Sequence, residues 1–419
     1  MEMRQWLWQA LRQVMLHGAY SNLYLKDHLK ELNPRDRALA TRIFYGTLQN
    51  AAYCEACWKR FAKSRVSGSI AVLLTFSVYQ LLFLDKVPAY AVVDDAVKLA
   101  GSKSKASADF VNAILRKVLE KPMELPENEE EKLALQTSLP LWMIRMWKKQ
   151  YGWDRTKEMA ESSTCTLPVY LRLNLLRARE DDATNMGLQK AEDLEAPMNE
   201  LYIYPSDGLE QDQGYLEGKY SVQDPGSYAI ARMAAPKPGD SVLDVCAAPG
   251  TKTMAMAEQM NGEGTITALD LHEHRVRLIE ADAKRLGFEK MIDARTKDAT
   301  DLSDLNRYDV VLCDVPCSGY GVLARKPDMK LHLAMETMDT LIPLQKKLLV
   351  QASEHVKPGG RLVYSTCTMN KKENEKQVEA FLKDHPDFVL KEEKSLLPDD
   401  KHNGFYMAEL RRLPGKDSQ

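Results

Sequence analysis

The sequence predicts a multidomain protein with an all-α bundle at the amino terminus, then a small α+β module, then a doubly wound α/β domain. Three observations lead to this fold class. The chain of 419 residues is longer than a single hydrophobic core usually supports. Apolar residues recur every three or four positions up to about residue 120, which is typical of amphipathic helices. From residue 240 onwards, short apolar runs alternate with helical segments, as in a parallel sheet covered by helices.

The amino-terminal helical domain is predicted over residues 1–125 and is basic. Its apolar stretches include WLWQALRQVML, RALATRIFYGTLQNAAY, IAVLLTFSVYQLLFL and ADFVNAILRKVL. The domain holds 18 lysines and arginines against 11 aspartates and glutamates, whereas the rest of the chain holds 39 against 49. A basic domain on an acidic body favours an anionic partner, although lysine-rich helix surfaces alone produce the same imbalance.

A glutamate-rich stretch separates this bundle from the remainder of the chain. EKPMELPENEEEK, residues 120–132, contains two prolines and six glutamates. Between residues 134 and 222, the helical segments LPLWMIRMWKKQY and DRTKEMAESS precede the strand-like segments PVYLRLNLL and LEGKYSVQD. We therefore predict a mixed α+β connecting module over 134–222 and the α/β domain over 223–419.

Composition excludes several classes of protein. The sequence contains no run of about 18 apolar residues, so no membrane partner is expected and the cytoplasm is the expected location. The seven scattered cysteines do not form a disulfide framework. Cys54 and Cys57 lie in a helical pattern without a second pair at zinc-finger spacing, so we expect ordinary thiols there and no metal.

A ligand-binding loop is predicted in VLDVCAAPGTKT, residues 242–253, which runs from a strand through small residues into a helix. Ala247, Ala248 and Gly250 allow the backbone to approach a ligand closely, and the helix that follows presents free amide groups. The loop lacks both G-x-G-x-x-G and G-x-x-x-x-G-K-[ST], which weakens a nicotinamide or ATP interpretation. An amino-acid-bearing adenosine fits better, so S-adenosylmethionine is the predicted cofactor, with Lys252 near its methionine carboxylate.

Two further acids support an adenosine at this edge of the sheet. Asp270 ends the next strand, where its carboxylate can accept hydrogen bonds from ribose hydroxyls. Asp298 closes the following strand-like segment, MIDARTKD, and is placed to accept from an adenine amino group. Each acid taken singly is better explained as a solvated loop carboxylate or a helix cap.

Two cysteines follow two other predicted strands. Cys317 lies beyond the strand in VVLCDVPCSGYGV, and Cys367 lies beyond the strand in VYSTCT. If the strands are neighbours, both thiols face the crevice of the cofactor. Burial in the core is the competing explanation, which we favour for Cys246 and Cys313 but not for these two polar loops.

A methyl donor gives such cysteines a specific chemical use. A thiolate that adds to carbon 6 of a pyrimidine makes carbon 5 nucleophilic enough to attack a sulfonium methyl group. Asp314 can hydrogen-bond or help protonate the ring nitrogen while this adduct forms. The second cysteine can then assist release. The mechanism alone leaves open which cysteine is the nucleophile.

These motifs carry a family likeness. LDVCAAPGTKT, DVPCSGYGVLARKPDMK, LQKKLL and STCTMNKKENE resemble the signature of RNA cytosine-5 methyltransferases of the Sun/NOL family. RDRALATRIFYGTLQN, YQLLFLDKVPAYAVVDDAVKLA and FVNAILRKVL resemble the NusB-type helical RNA-binding domain. The combination is similar to bacterial enzymes of this family that modify 16S ribosomal RNA, and the likeness is weakest from about residue 180 to 215.

The resemblance implies a fold and a reaction. The implied fold is a NusB-like bundle, an RNA-recognition-like subdomain and a Rossmann-like class I methyltransferase domain. The implied reaction is methyl transfer from S-adenosylmethionine to carbon 5 of a cytosine through a covalent cysteine–cytosine adduct. The implied partner is small-subunit ribosomal RNA before the subunit is fully assembled.

The resemblance also assigns roles to residues. It makes Cys367 the nucleophile and Cys317 the cysteine that promotes product release. Two positions depart from the family pattern, since Thr251 replaces a usual glycine and Tyr320 replaces a small residue or threonine. The cofactor contacts carry over to Cys246, Ala247, Ala248, Pro249, Gly250, Thr251, Lys252, Asp270, Arg275, Asp298 and Asp314.

Two alternatives stay open at this point. One is the same chemistry on transfer RNA or on another ribosomal cytosine. The other is a non-catalytic RNA-binding assembly factor with an idle methyltransferase fold. The presence of Cys317, Cys367 and Asp314 argues against the idle fold.

Overall fold

The computed structural model describes residues 2–205, 208–303 and 306–415. Contacts between residues divide the chain into two units. The first comprises Met1–Thr166 together with Leu323–Ala334, and the second comprises Leu167–Val322 together with Met335–Gln419. Within the described ranges, no helix is both long enough and apolar enough to cross a bilayer.

The amino-terminal part of the first unit is all-helical, as the sequence predicts. Helix α5 is its centre, because residues 72–80 are buried without interruption, which is typical of a helix surrounded by others. The run RALATRIFYGTLQNAAY forms two helices instead of one, with the break at Asn50. The helices are α1 (Met3–His17), α2 (Ser21–His28), α3 (Pro34–Gln49), α4 (Ala51–Lys59), α5 (Gly68–Phe83), α6 (Ala89–Gly101), α7 (Lys105–Glu120), α8 (Glu129–Gln136), α9 (Leu141–Tyr151) and α10 (Trp153–Ser162).

Local sequence signals explain where several of these helices begin. Asn33 precedes α3, and its side chain accepts a hydrogen bond from the Arg35 amide while Pro34 occupies the first helical position. Ser104 caps α7 in the same way through the Ser107 amide. Cys54 and Cys57 of α4 lie in the buried core of the bundle. No group of three or more metal-ligating side chains occurs in the part of the chain that the structure describes.

A segment from much later in the sequence completes the first unit. Within Leu323–Ala334, Asp328 Oδ1 accepts a hydrogen bond of 2.8 Å from Ser21 Oγ at the start of α2. Lys330 Nζ donates to the carbonyl oxygens of Gln49 at 3.2 Å and Thr137 at 2.9 Å, where α3 and α8 end. Asp328 thus lies at the amino terminus of α2, and Lys330 lies at the carboxyl termini of α3 and α8. Helix dipoles favour a negative group at the first position and a positive group at the second. We call Leu323–Ala334 the strap.

The predicted domain boundaries do not coincide with this division. Residues 134–166 belong to the first unit because helices α8–α10 pack with the bundle. The strap also belongs to the first unit, although the sequence placed it inside the α/β domain. The three-domain boundaries therefore stay a prediction.

The buried Lys330 predicts a pH-dependent stability. Burial lowers the pKa of Lys330 to about 7, whereas an unfolded lysine keeps its proton up to a pKa of about 10.4. Between these values the unfolded chain binds more protons, so stability rises with pH. We expect the free energy of unfolding of the wild type, relative to Lys330→Met, to increase between pH 7 and pH 10, by at most about 1.4 kcal/mol per pH unit. Urea titrations of both proteins at matched pH measure this difference, and a constant difference would contradict it.

The second unit begins with a small antiparallel sheet in the order β2-β3-β1-β4. Strands β1 and β4 lie where PVYLRLNLL and LEGKYSVQD predict strands, whereas β2 and β3, of two residues each, are too short to leave an alternating pattern. The elements are β1 (Tyr170–Leu173), α11 (Glu180–Asn185), β2 (Gln189–Lys190), β3 (Tyr202–Ile203), α12 (Gln213–Leu216) and β4 (Tyr220–Val222).

A seven-stranded sheet in the order β10-β11-β9-β8-β5-β6-β7 forms the rest of this unit. Five neighbouring strands, β9, β8, β5, β6 and β7, are parallel. At the β9 edge, β11 and β10 add an antiparallel hairpin that the sequence analysis did not predict. The elements are α13 (Pro225–Ala234), β5 (Ser241–Asp244), α14 (Thr251–Gln259), β6 (Thr265–Asp270), α15 (Glu273–Leu286), β7 (Ile292–Thr296), β8 (Tyr308–Asp314), α16 (Thr337–Glu354), β9 (Val356–Thr366), α17 (Glu375–Asp384), β10 (Phe388–Leu396) and β11 (Phe405–Arg412).

The strand order confirms the doubly wound fold and locates the crevice. From β5 the chain proceeds through β6 to β7 on one side, and then returns to place β8 and β9 on the other. The order reverses between β5 and β8, and ligands bind at the carboxyl ends of strands at such a point. Asp314 of β8 lies opposite Ser365 of β9, so the loops that carry both cysteines leave the sheet side by side.

Candidate active site

The loop after β5 is fastened to both neighbouring strands. The Val245 amide donates to the Leu312 carbonyl of β8 at 3.0 Å, and the Ala247 amide donates to the Leu269 carbonyl of β6 at 2.7 Å. Gly250, with a φ of +104°, then turns the chain into α14. Such a backbone angle disfavours any residue with a Cβ. The small-residue loop is therefore held at the switch point of the sheet.

A buried carboxylate that the sequence analysis did not single out begins this loop. Asp244 Oδ2 accepts a hydrogen bond of 2.7 Å from Thr253 Oγ1. Asp244 Oδ1 is buried and has no hydrogen-bond partner among the described residues. Burial raises the pKa of Asp244 to about 7. An unsatisfied acceptor in this position fits a bound molecule that brings a donor, such as the amino-acid end of S-adenosylmethionine.

The structure brings three of the predicted cofactor residues into contact. Arg275 Nη1 lies 3.2 Å from Asp270 Oδ2, and Arg275 Nη2 donates to the Ala248 carbonyl at 2.9 Å. Asp270 ends β6 as predicted and is buried. Arg275 therefore links the loop after β5 to the acid after β6, which are the two places where the sequence predicts an adenosine.

Asp298 and Cys246, two other predicted cofactor residues, do not take part in these contacts of Arg275. Asp298 is exposed, and hydrogen bonds from the backbone and side chain of Thr300 lower its pKa. It follows Lys297, whose amide donates to the Asp270 carbonyl at 2.9 Å. Cys246 lies within the loop after β5, and burial raises its pKa. Their roles toward the cofactor stay predictions.

The two loop cysteines lie in direct contact. Cys317 Sγ and Cys367 Sγ are 3.3 Å apart, which confirms that the two strands deliver both thiols to one place. The hydrogen bond with Cys367, together with burial, raises the pKa of Cys317 well above its ordinary value. Either sulfur can be the donor in this contact. The positive charge of Lys252 acts on Cys367, which favours the thiolate form of that sulfur.

A short ion pair lies beside the cysteines. Lys252 Nζ is 2.6 Å from Asp314 Oδ2, and Ser365 Oγ donates to Asp314 Oδ1 at 2.7 Å. Burial opposes the charge on Lys252, but the carboxylate of Asp314 outweighs it and raises the pKa of the lysine. Lys252, assigned from the family resemblance to the cofactor, thus provides a stable positive charge near Asp314 and Cys367.

The two departures from the family pattern have defined environments. The carbonyl of Thr251 accepts a hydrogen bond of 3.2 Å from Arg172 Nη1, and Arg172 Nε also donates to Glu258 Oε2 at 2.7 Å. Arg172 thus ties β1 of the small sheet to both ends of α14. Tyr320 is buried, its amide donates to Thr368 Oγ1 at 3.3 Å, and burial raises its pKa to about 12.

Two family models and several proteins of known sequence match this chain. A family model described as 16S rRNA methyltransferase RsmB/F matches residues 231–419, and the NusB family model matches residues 1–120. The "Probable ribosomal RNA small subunit methyltransferase B" of Bacillus subtilis (strain 168) is 36% identical over 91% of this chain and 88% of its own length. The "Ribosomal RNA small subunit methyltransferase B" of Vibrio cholerae serotype O1 is 29% identical over 96% of each chain.

A solved structure extends the likeness to three dimensions. The crystal structure of PH0851 superposes with a TM-score of 0.83 at 25% identity, covering 98% of this chain and 99% of that one. The predicted combination of a NusB-like bundle with a Rossmann-like methyltransferase domain is confirmed. The chain belongs to the ribosomal RNA small subunit methyltransferase B family, and its methyl donor is S-adenosylmethionine.

Proposed function

We propose that this chain transfers a methyl group from S-adenosylmethionine to carbon 5 of a cytosine in 16S ribosomal RNA through a covalent cysteine–cytosine adduct. The observation that carries the proposal is the contact of 3.3 Å between Cys317 and Cys367, at the sheet edge that holds the cofactor loop. Carbon 5 of a cytosine needs activation by a nucleophile at carbon 6, whereas methylation of a ring nitrogen needs no thiol. The names of the relatives support ribosomal RNA as the substrate.

In the first step, Cys367 adds to carbon 6 of the cytosine. The sulfur is assigned to this role by the family resemblance, and the positive charge of Lys252 favours a thiolate at Cys367. Formation of the carbon–sulfur bond moves an electron pair onto the ring and makes carbon 5 nucleophilic. When bound, S-adenosylmethionine supplies the methyl group that carbon 5 takes.

Asp314 assists the same step at the ring nitrogen. Its carboxylate is oriented by the hydroxyl of Ser365 and paired with Lys252, so its position does not depend on the substrate. A carboxylate held in this way can help protonate the ring nitrogen on which negative charge develops, by passing on a proton from the Lys252 ammonium group. The proton that the nitrogen gains is then the one that Lys252 loses.

Release reverses the addition. Transfer of the proton from carbon 5 to a base restores the aromatic ring, breaks the carbon–sulfur bond and returns the electron pair to Cys367 as a thiolate. Cys317, in contact with Cys367, is placed to promote this elimination on the same adduct. The two cysteines thus serve the two halves of one covalent cycle.

The amino-terminal bundle is proposed to bind the RNA. Residues 1–125 carry a net charge of +7, from 18 basic and 11 acidic side chains, which suits a phosphate backbone. A cytosine must leave its stack to reach a sulfur in the crevice, and a folded subunit resists this. We therefore propose that small-subunit RNA is modified in the cytoplasm before it is fully assembled.

The test is methylation of defined RNAs followed by mapping of the product. We expect the purified protein to place 5-methylcytosine in unmodified 16S RNA, detected by bisulfite sequencing, and to act less on assembled 30S subunits. Transfer RNA and 23S RNA at matched salt serve as alternative substrates. Modification of transfer RNA alone would contradict the substrate, and a methylated nucleoside other than 5-methylcytosine would contradict the chemistry.

A further inference from the structure

Two consecutive buried polar residues, Glu373 and Asn374, lie between the loops that carry the cysteines. Both side chains are fully buried, with 0% exposure. In the sequence they belong to KKENE, a charged run that is more typical of an exposed helix start, and α17 does begin at Glu375. Complete burial of a glutamate requires that its oxygens be satisfied, so its partners indicate what it does.

Glu373 fixes the loop of Cys317 on both sides of the cysteine. From the described residues, four hydrogen bonds reach its two oxygens, and each of these four donors is uncharged. Gln345 Nε2, one of the donors, also donates to the carbonyl of Pro316 at 3.0 Å. The four donors are Ser318 N at 2.9 Å, Ser318 Oγ at 2.6 Å, Asn370 Nδ2 at 3.0 Å and Gln345 Nε2 at 2.9 Å.

Asn374 fixes the loop of Cys367 in the same manner. Its Oδ1 accepts a hydrogen bond of 2.6 Å from Thr366 Oγ1, and its Nδ2 donates to the Thr368 carbonyl at 2.8 Å. The two loops are then joined to each other, because Thr368 Oγ1 lies 2.7 Å from Ser318 Oγ. Three of the four residues that flank the two cysteines, Ser318, Thr366 and Thr368, are thus hydrogen-bonded to Glu373 or Asn374. The fourth, Pro316, is bound through Gln345, which also donates to Glu373.

We propose that Glu373 and Asn374 are a positioning pair that holds the sulfurs of Cys317 and Cys367 at their separation and thereby sets which of the two reacts more readily. This inference rests on the proposed covalent function and names residues that act through the two cysteines. Neither member touches the reacting atoms. Preorganisation of this kind matters because a displacement of about 1 Å can reduce a rate by about 100-fold.

The charge of Glu373 gives the pair a second effect besides geometry. After the hydrogen bond with Cys367 and burial, the negative charge of Glu373 is a further cause of the raised pKa of Cys317. Among the described residues, other ionisable groups that act on the two cysteines are Lys252 from α14, Tyr320 from the loop after β8 and Tyr364 from β9, and Asp314 pairs with Lys252. Of these, Lys252 is the cation, and it acts on Cys367.

The test separates the charge of Glu373 from its shape by using Glu373→Gln in the full-length protein. Iodoacetamide alkylation between pH 6 and pH 9 without RNA, read by peptide mass spectrometry, gives the ratio of modification at Cys367 to that at Cys317. We expect this ratio to fall at least about five-fold in Glu373→Gln, and kcat to fall about 10- to 100-fold. The Kd for S-adenosylmethionine should stay within about two-fold, because no hydrogen bond among the described residues joins Glu373 to the cofactor loop.

Glu375→Gln is the matched control. Glu375 lies two residues further on and is half-buried, yet its carboxylate contacts neither cysteine loop among the hydrogen bonds of the described residues. It should keep the wild-type alkylation ratio and kcat. A loss of kcat in Glu373→Gln without any change in the ratio would overturn the proposal, since it would reduce Glu373 to a structural role.

Ser318→Ala keeps the proposal testable if Glu373→Gln does not fold. It removes only the hydroxyl that joins Glu373 to Thr368, and we expect a smaller shift of the alkylation ratio in the same direction. An unchanged ratio in a folded Ser318→Ala would also overturn the proposal. Because alkylation needs no RNA, these results stand apart from a failure of the proposed methylation of carbon 5.

Discussion

Cys367→Ala is expected to abolish methyl transfer, whereas Cys317→Ala is expected to accumulate protein covalently bound to RNA. The first variant removes the sulfur that adds to carbon 6, so carbon 5 is never activated. The second retains this sulfur but lacks the group placed 3.3 Å away to promote its release. Incorporation of a labelled methyl group, and a protein–RNA band on a denaturing gel, measure the two outcomes separately.

The two variants also test the order of the cysteines. If Cys367→Ala forms the adduct and Cys317→Ala is inactive and free of RNA, the assignment is reversed and Cys317 is the nucleophile. Cys165→Ala is a suitable control, because Cys165 belongs to the first unit and not to the unit that holds the site. It should methylate at the wild-type rate and form no lasting adduct.

Periodicity in the sequence predicted most of the fold because each strand and helix is locally consistent. The runs that end at Asp270, Asp314 and Thr366 are rich in apolar residues, and the structure has strands there. The strap could not be predicted in this way. In the sequence, Lys330 has no feature that distinguishes it from a lysine on the surface. The tertiary structure shows that it is buried against the ends of two helices.

The candidate site was predicted unevenly for a similar reason. Residues with distinctive chemistry in small-residue loops, such as Cys317 and Cys367, could be identified from the sequence. Asp244 and Glu373 could not, because an acid at a strand end or before a helix is usually solvated or a helix cap. The contacts that distinguish them come from other parts of the chain, as in the hydrogen bond from Gln345 to Glu373.

Asp314→Asn is expected to lower kcat by about 100- to 10,000-fold, the range typical for loss of a general acid or base. The amide keeps an oxygen for the hydroxyl of Ser365, so the shape of the site is preserved. It cannot take up and pass on a proton, however, and it lacks the negative charge that raises the pKa of Lys252. Residual activity should therefore decline further as pH rises, because Lys252 then loses its proton at a lower pH than in the wild type.

Asp309→Asn provides the matched control on the same strand. Asp309 is the second residue of β8, at the end of the strand opposite to Asp314. It also pairs with a lysine, since Lys357 Nζ lies 2.8 Å from its Oδ2. Both substitutions thus remove one carboxylate from one ion pair of β8, and both should lower thermal stability. Only Asp314→Asn should lower kcat, because only Asp314 lies at the carboxyl end of the strand beside the cysteines. Equal losses of kcat in the two variants would mean that Asp314 supports the sheet and takes no part in the chemistry.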